Sequence, residues 1–583
     1  MSYHDKPWLK KYDPDIPHTL EPYPCHPLYQ FLRNTAQSSP DAVATVTSAH
    51  LPVVGRQKAE VTYRDLDSQT DALATALVDL GVKKGDRVAI VMPNCVQFII
   101  AFYAILKAGG IVCATNPTYP AGKMQNQLKD CGATIAITLS LFYNTIKQVQ
   151  KDTDVKQVVV TNIKEYLPSL AASLFTLAKE NKDGHRIQRL PEDHDFQELL
   201  KRYAGRTPNV DVQPADLAIF QYTGGTTGGP KAAMASHQAL VCNVLQSKSW
   251  LVKDDRQGVI LAAIPLFHVF GMVAVMSYAV ATASQLLIVT NARDTTEVLE
   301  VIDTYKPTLF DGVPAMYNAI NNHPGVIAGK YKLDSIIVCV SGSAPLPPGT
   351  KRKFEELSGC KLVEGYGMSE MPTATHINPV YGENRGGSIG LPLPDMEARI
   401  VSLDDGETEL AVGEIGELVL WGPQIMVGYH DLPTETNHAL RPDANGKKWL
   451  YTGDIARMDE DGYFYIVDRK KDMAIIGGFN VYPNMVERVL SEHPAIHEVS
   501  VAAIPHPNPE KAGQDCLKAW VVLKPDQQAT EQELIDFSAK QLARYEVPTR
   551  IEFVAALPKS SVGKVLRREL IQMEKATTEK IAG

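Results

Sequence analysis

Nowhere in these 583 residues do two cysteines stand in a C-x-x-C pair; the eight are scattered singly at 25, 95, 113, 131, 242, 339, 360 and 516. That spacing argues against both a zinc site and a disulfide framework, and it suits a reducing compartment. Positive charge is also short: charged residues are 21% of the chain and the net charge is -9. Such a balance leaves no basic footprint for nucleic acid and no general attraction to anionic lipid. The opening residues, MSYHDKPWLKKYDPDIPHTLEPYP, put charges and prolines where a secretion signal needs an apolar core. A cytoplasmic location is the expectation, with a peripheral membrane contact and a homodimer left open.

Residues 259–291 contain no Asp, Glu, Lys or Arg, a run long enough to span a bilayer. Pro265, His268 and Gly271 interrupt it, however, and Thr282, Ser284 and Gln285 dot its end. The pattern predicts a strand (259–264), a loop, a buried helix (271–281) and a second strand (285–290). Elsewhere apolar strands (87–92, 110–115) alternate with helical stretches (61–80, 95–108), the rhythm of an α/β fold with layered parallel sheets. Residues 167–204 have helical periodicity with Leu170, Leu174 and Leu177 on one side. A solvated peripheral helix is the expectation there, and a membrane-touching patch the alternative. After about residue 386 short β segments take over, followed by the charged run Asp468-Arg469-Lys470-Lys471-Asp472 and a compact α+β texture. A chain this long exceeds one core, so at least two domains are expected.

Glycine and threonine are concentrated in YTGGTTGGPKAA, residues 222–233. Glycines at Gly224, Gly225 and Gly228 let successive N–H groups converge on phosphate oxygens, Thr223, Thr226 and Thr227 add hydroxyls, and Lys231 adds a point charge. This is not a Walker A loop: Pro230 separates Gly229 from Lys231, and Ala232 stands where a metal-binding hydroxyl belongs. Other stretches have the residues of a nucleotide site. Gly342, Ser343 and Ala344 follow an apolar strand, at the end where α/β sheets place ligands. Glu364, Gly365, Tyr366, Gly367 and Ser369 lead to Glu370, a plausible ligand for magnesium, which takes one or two carboxylates besides phosphate oxygens. Asp454, in Tyr451-Thr452-Gly453-Asp454, suits the two hydroxyls of a ribose, although an Asx turn explains it equally well.

Taken together and in order, these stretches resemble the acyl-adenylate-forming family, and within it the bacterial long-chain fatty-acyl-CoA synthetases. The family's YTSGTTGxPKG is matched by Tyr222 to Ala232, its GYGxTE by Gly365 to Glu370, its YTGD by Tyr451 to Asp454, its DRxKD by Asp468 to Asp472, and its terminal SGK by Val562-Gly563-Lys564. The resemblance implies a large N-terminal domain of layered α/β sheets plus a β-rich subdomain (1–470), and a small mobile α+β domain (471–583) carrying a catalytic lysine, Lys564. It implies ATP, Mg²⁺ and coenzyme A as cofactors and a fatty acid as partner substrate. Mg²⁺ would be held by Thr223 and Glu370, and ribose by Asp454 with Arg469. Lys471 would be the hinge, Gly478 would serve the thioester step, and His268 would take a substrate-side role in an otherwise apolar acyl segment, Pro265 to Gly271.

Two other classes compete. A phosphoryl-transferring ATPase would release ADP, and the off-register lysine argues against it. Gly386-Gly387-Ser388-Ile389-Gly390 formally matches a serine-hydrolase elbow, but Leu391-Pro392-Leu393-Pro394 follows where a helix is needed.

Overall fold

A computed structural model describes residues 2–51, 54–223, 230–251, 258–476, 478–506, 514–560 and 564–582. The chain is mixed α/β, with a large N-terminal part and a smaller C-terminal domain, as the alternation of its segments predicts. Two compact units partition it: Lys11–Glu397 with Trp421–Leu450, and Met1–Lys10 with Ala398–Leu420 and Tyr451–Gly583.

The larger unit is built on an eight-stranded sheet. Its middle is parallel, with Leu217–Tyr222, Ile111–Ala114, Arg87–Val91, Ile135–Leu139 and Gln157–Thr161 side by side, and Ala232–Ser236 and Gly428–Tyr429 extend one edge antiparallel. Val96–Lys107 crosses between the two central strands, and all of its residues are buried. A helix apolar all round has no face to give to water, so it lies inside the layers. One exception sits at its end: Lys107 Nζ is closed off from solvent and donates to Asp67 Oδ1 at 2.5 Å, Asp71 Oδ1 at 2.7 Å and Thr70 Oγ1 at 2.7 Å, all on the Tyr63–Asp79 helix. This fixes the two helices to each other through a cation that cannot be left unpaired.

Two four-stranded sheets complete the unit. One runs Val259–Ala262, Gln285–Ile288, Val43–Leu51, Gly55–Thr62; the other Val338–Ser341, Lys361–Met368, Met371–Ile377, Leu391–Pro392. Residues 309–312 join them, with Leu309 bridging parallel to both Ile260 and Val338, and Gly312 to Ser341. Phe310 and Cys339 from this seam pack with Leu261, Leu287, Leu299 and Tyr317 in one core. Asp311, on the same seam, is 1% exposed, and its Oδ1 has no hydrogen-bond partner among the described residues. Burial pushes its carboxyl up to about 7, against a weak opposing pull from the Val340 N–H.

The predicted helix at 271–281 is corrected in kind. Phe270–Ser277 is a π-helix, and only Tyr278–Ala281 is α. Ser277 Oγ donates to the Met272 carbonyl, five residues back, at 2.8 Å, which supports the wider turn. The region 167–204 is likewise not one helix. Ser169–Ala178 is helical, Gly184 at φ +78° and Pro191 interrupt, and Phe196–Arg202 forms a second helix capped by Asp195.

In the other unit, residues 454–458 pair antiparallel with Phe464–Arg469. Beyond them Ile496–Pro505, Asp515–Leu523 and Arg550–Phe553 form a three-stranded sheet, whose core residues Val501, Ala519 and Ile551 pack with Val486 and Leu490 of the Pro483–Ser491 helix and Leu534 of Glu531–Ala539. All eight cysteines are free thiols. Among the described residues no helix is long and apolar enough to cross a membrane.

Lys107→Ala removes the ammonium from the part-exposed Asp67 and leaves Asp71 with the Arg33 ion pair, and is expected to cost about 1–3 kcal/mol in urea unfolding; a loss under about 0.5 kcal/mol would show that the ammonium is not the anchor. Asp311 has a folded pKa of about 7 against an ordinary 3.8. The stability it contributes is therefore complete below about pH 4 and is lost as pH rises through about 7. Asp311→Asn is expected to raise the melting temperature at pH 8 and to change it little near pH 4; equal shifts at both pH values would show that the carboxyl is not held neutral.

Candidate functional site

In the larger unit the Leu217–Tyr222 and Ala232–Ser236 strands are joined at a neck where the glycine–threonine segment begins and ends: Tyr222 pairs with Ala232, and the Thr223 N–H donates to the Lys231 carbonyl at 2.9 Å. Tyr222 OH, held by Asp130 Oδ2 at 2.6 Å, braces the neck from outside. Gly224, Gly225, Thr226, Thr227 and Gly228 lie outside the described residues.

Lys231, which stands at the neck, forms an ion pair with Glu435 and has its Nζ 5.2 Å above the ring of Tyr429. The same tyrosine donates its hydroxyl to Glu370 Oε1 at 2.7 Å. Lys231 and Glu370, distant in sequence, are thus gathered on one aromatic ring. Burial and the Glu370 charge raise the Tyr429 phenol, which keeps it a donor, while Lys231 lowers the Glu435 carboxyl. Neither Tyr429 nor Glu435 is marked in the sequence. Their position comes from the Gly428–Tyr429 edge strand, which pairs with Ala232–Ser236 at Tyr429↔Ala233.

Glu370 owes its place to Gly367. A Cβ on Gly367 would fall 1.6 Å from the Thr373 carbonyl oxygen, an impossible contact for any other residue. The pairing of Lys361–Met368 with Met371–Ile377 shifts register on both sides of Gly367, and the turn that follows holds Ser369 and Glu370. Tyr366 stands edge-on to His376 with centroids 5.9 Å apart. Gly365 abuts Val340, with 2.9 Å from its Cβ position to Val340 Cγ1. The Glu364 carboxylate is turned to the backbone, accepting from Leu346 N–H at 3.2 Å and Gly387 N–H at 2.9 Å, so it braces the loop after Val338–Ser341. In that loop Gly342 donates its N–H to Gly312, the exposed Ser343 has φ +70° and Ala344 is half-buried.

Phe270 ties this loop to the apolar segment, its ring 3.1 Å from the Cβ position of Gly342. Gly271 is equally constrained, since a Cβ there would lie 2.3 Å from the Pro265 carbonyl oxygen. The buried amide of Asn94 clamps the segment, donating to Ala262 and Ile264 carbonyls at 3.1 and 2.9 Å and accepting from Leu266 N–H at 2.8 Å. His268 Nδ1 accepts from the Phe270 N–H at 3.3 Å, and burial lowers its pKa to about 4. The ring is therefore neutral near pH 7 with its proton on Nε2, a donor rather than a charge.

No group of three or more His, Cys, Asp or Glu able to hold a metal occurs among the described residues. Magnesium keeps waters and substrate phosphates and needs only one or two carboxylates from a protein. Glu370, with Oε1 oriented by Tyr429, and the hydroxyl of Thr223 are the residues that would hold it.

The other unit assembles a second cluster. Asp454 is 4% exposed and directly opposite Arg469 in the strand pair, with Arg469 Nε 3.1 Å from Asp454 Oδ1. Thr452 Oγ1 accepts from the Asp454 N–H at 3.0 Å and donates to the Leu418 carbonyl at 2.8 Å; the residues read as a candidate Asx turn run instead within the Lys448–Met458 strand. Lys471 is exposed in the turn 470–472. Gly478, at φ +87°, lies in the hairpin that joins Ala474–Ile476 to Phe479–Val481, and Phe479 stacks on Tyr545 at 4.5 Å and 10°.

Lys564 is held against Ser560, the Ser560 N–H donating to the Lys564 carbonyl at 2.8 Å and the Lys564 N–H donating to Ser560 Oγ at 3.1 Å. More than a third of the residue stays accessible, yet crowding around its ammonium and the cations of Arg469 and Lys471 bring the pKa down to about 8, against the pull of Asp454 and Asp472. Arg567 anchors the chain three residues on: it pairs with Glu487 at 2.7 Å, Asp468 at 3.4 Å and Asp472 at 3.3 Å, and with Asn484. A basic run at a chain end gives no sign of that role in the sequence.

AMP-binding enzymes match residues 32–430, and the AMP-binding enzyme C-terminal domain matches residues 485–564. A long-chain-fatty-acid–CoA ligase of Bacillus subtilis (strain 168) is 40% identical over 574 residues, 98% of this chain and 98% of that protein. The protein of the same name from Salmonella typhimurium is 35% identical over 571 residues, 97% and 98% of the two chains. Among solved structures, ATP-bound MatB from Rhodopseudomonas palustris has a TM-score of 0.80 at 25% identity, covering 94% of this chain and 99% of that one. A long-chain-fatty-acid-CoA ligase from Archaeoglobus fulgidus shares the fold at a TM-score of 0.68 and 24% identity, covering 93% and 99%. Matched in both its large and its small domain, the chain belongs to the family of AMP-binding enzymes.

Proposed function

We propose that this protein is a long-chain fatty acid–CoA ligase that forms AMP. The observation that carries the reading is the end-to-end similarity to ligases of that name, at 40% identity in the Bacillus subtilis case. In the first half-reaction a carboxylate oxygen of the fatty acid attacks the α-phosphorus of ATP, the bond to pyrophosphate breaks, and acyl-AMP remains. In the second the thiol sulfur of coenzyme A attacks the acyl carbon, AMP departs, and the thiol proton is lost to solvent.

Each step sets a demand that the residues meet. Two anions must approach, and the N–H groups and hydroxyls of the loop from Thr223 to Lys231 would bind the phosphates. Magnesium, when bound at Glu370 and Thr223, would supply charge neutralisation of the phosphate oxygens. Asp454 and Arg469 suit the ribose, the carboxylate accepting from hydroxyls while the guanidinium holds it in place. Lys564, close enough to its pKa to be mostly charged near pH 7 and less costly to desolvate than an ordinary ammonium, stabilises negative charge developing on the α-phosphate and carboxylate. The neutral His268 donor belongs to the acyl side, in a segment otherwise fit for an alkyl chain. Lys471 is the pivot of the C-terminal domain, residues 471–583, between the half-reactions, and Gly478 serves the second one.

Purified protein given ATP, Mg²⁺, oleate and coenzyme A is expected to release AMP and pyrophosphate in equal amounts; ADP with phosphate would replace this reading by a phosphoryl-transferring one, and a preference for benzoate over oleate by an aryl-CoA ligase. Lys564→Ala is expected to slow acyl-AMP formation by about 10²–10³-fold and to leave thioester formation from supplied oleoyl-AMP within a few-fold of the parent. Equal losses in both half-reactions, measured by single-turnover kinetics, would reject the role given to Lys564.

A further inference from the structure

The Ser169–Ala178 helix, SLAASLFTLA, has no charged side chain, and of its ten residues only Ala171 is buried. Leu170, Leu174 and Leu177 recur at i, i+4 and i+7, on one face, and are 47%, 43% and 85% exposed. On the other side the Phe175 ring meets His185 edge-on at 5.2 Å, so the helix is seated and the leucine row points outward.

Two of its three hydroxyls are already used, those nearer the C-terminus. Ser173 Oγ donates to the Ser169 carbonyl at 3.0 Å and Thr176 Oγ1 to the Ala172 carbonyl at 2.9 Å. Neither hydroxyl needs water, so this face can enter a medium that offers no hydrogen bonds. Past the helix C-terminus Lys179, Lys182 and Arg186 are exposed. Of the acids among them, Glu180 is taken up by Lys164 at 2.7 Å and Asn162 at 2.9 Å, which leaves Asp183 against three cations. On a chain of net charge -9 this collar is a local reversal of sign.

We propose that this face docks on an anionic phospholipid membrane, with Leu170, Leu174 and Leu177 entering the boundary between headgroups and acyl chains while Lys179, Lys182 and Arg186 meet the phosphates. The inference deepens the reading above and rests on it in one respect: a long-chain acid is stored in bilayers, so an enzyme that consumes it gains by standing on one.

The test uses the full chain and sedimentation with sucrose-loaded vesicles of phosphatidylcholine alone or with 30% phosphatidylglycerol. Wild type is expected to partition onto the anionic vesicles, and the double variant Leu174→Asp, Leu177→Asp to do so at least about tenfold less, with an unchanged melting curve because both side chains are exposed. Lys179→Glu with Lys182→Glu should weaken binding to the anionic vesicles and leave the neutral ones unaffected. No partition of wild type, or equal partition of wild type and the leucine variant, overturns the proposal. So does a self-association, seen by light scattering without vesicles, that the leucine variant abolishes, since the face would then cover a second copy. Vesicle binding is read without any turnover, and AMP release from soluble octanoate reports the enzymatic reading separately; loss of one leaves the other standing.

Discussion

Position 367 admits no side chain, because the Thr373 carbonyl oxygen occupies the place where a Cβ would be. That one steric demand forces the double register shift in the Lys361–Met368 and Met371–Ile377 pair, and the shift sets the turn from which Glu370 reaches Tyr429. Through the Tyr429 ring the constraint extends to Lys231 and so to the neck between the Leu217–Tyr222 and Ala232–Ser236 strands. The chemistry assigned to the larger unit depends on a backbone packed too closely to tolerate anything but hydrogen.

In the other unit the organising force is electrostatic. Arg567 gathers Glu487, Asp468 and Asp472 around one guanidinium, and Asp468 in turn accepts from the N–H groups of Arg469 and Asn484 at 2.7 Å each. A fork of five donors suits such a convergence of carboxylates, where a lysine would hold only a point. The chain just after Lys564 is therefore tied to the end of the Phe464–Arg469 strand and to the turn 470–472 that carries Lys471. Arg469 and Lys471 share with crowding the work of lowering the Lys564 pKa. Scaffold and reactivity come from one set of charges.

How much of this could be read from the sequence depends on whether a role is local. Glycine-rich turns, a threonine cluster and strands flanking an apolar helix report themselves, because their causes lie within a few residues; Arg87–Val91, Val96–Lys107 and Ile111–Ala114 fall where the pattern puts them. Tyr429, Glu435, Asn94 and Arg567 do not, since each acquires meaning from partners far along the chain: 59 residues to Glu370 for Tyr429, 204 to Lys231 for Glu435. Lys107 hides inside an apolar helix, and only the folded structure shows the acids that meet it. Hydrophobic periodicity also cannot tell an α-turn from a π-turn, which is why 270–277 reads as an ordinary buried helix.

That wide turn has a further consequence for how the segment tolerates change in length. A π-turn accommodates one residue more than an α-turn of similar rise, so excising a single residue between Met272 and Met276 would allow the stretch to rewind as α. Because the wide turn already absorbs the extra residue, the following Tyr278–Ala281 turn would stay near its present phase, whereas the same excision from an α-turn would rotate it by about 100°. The segment can therefore shorten by one residue while the buried Tyr278 ring keeps its neighbours.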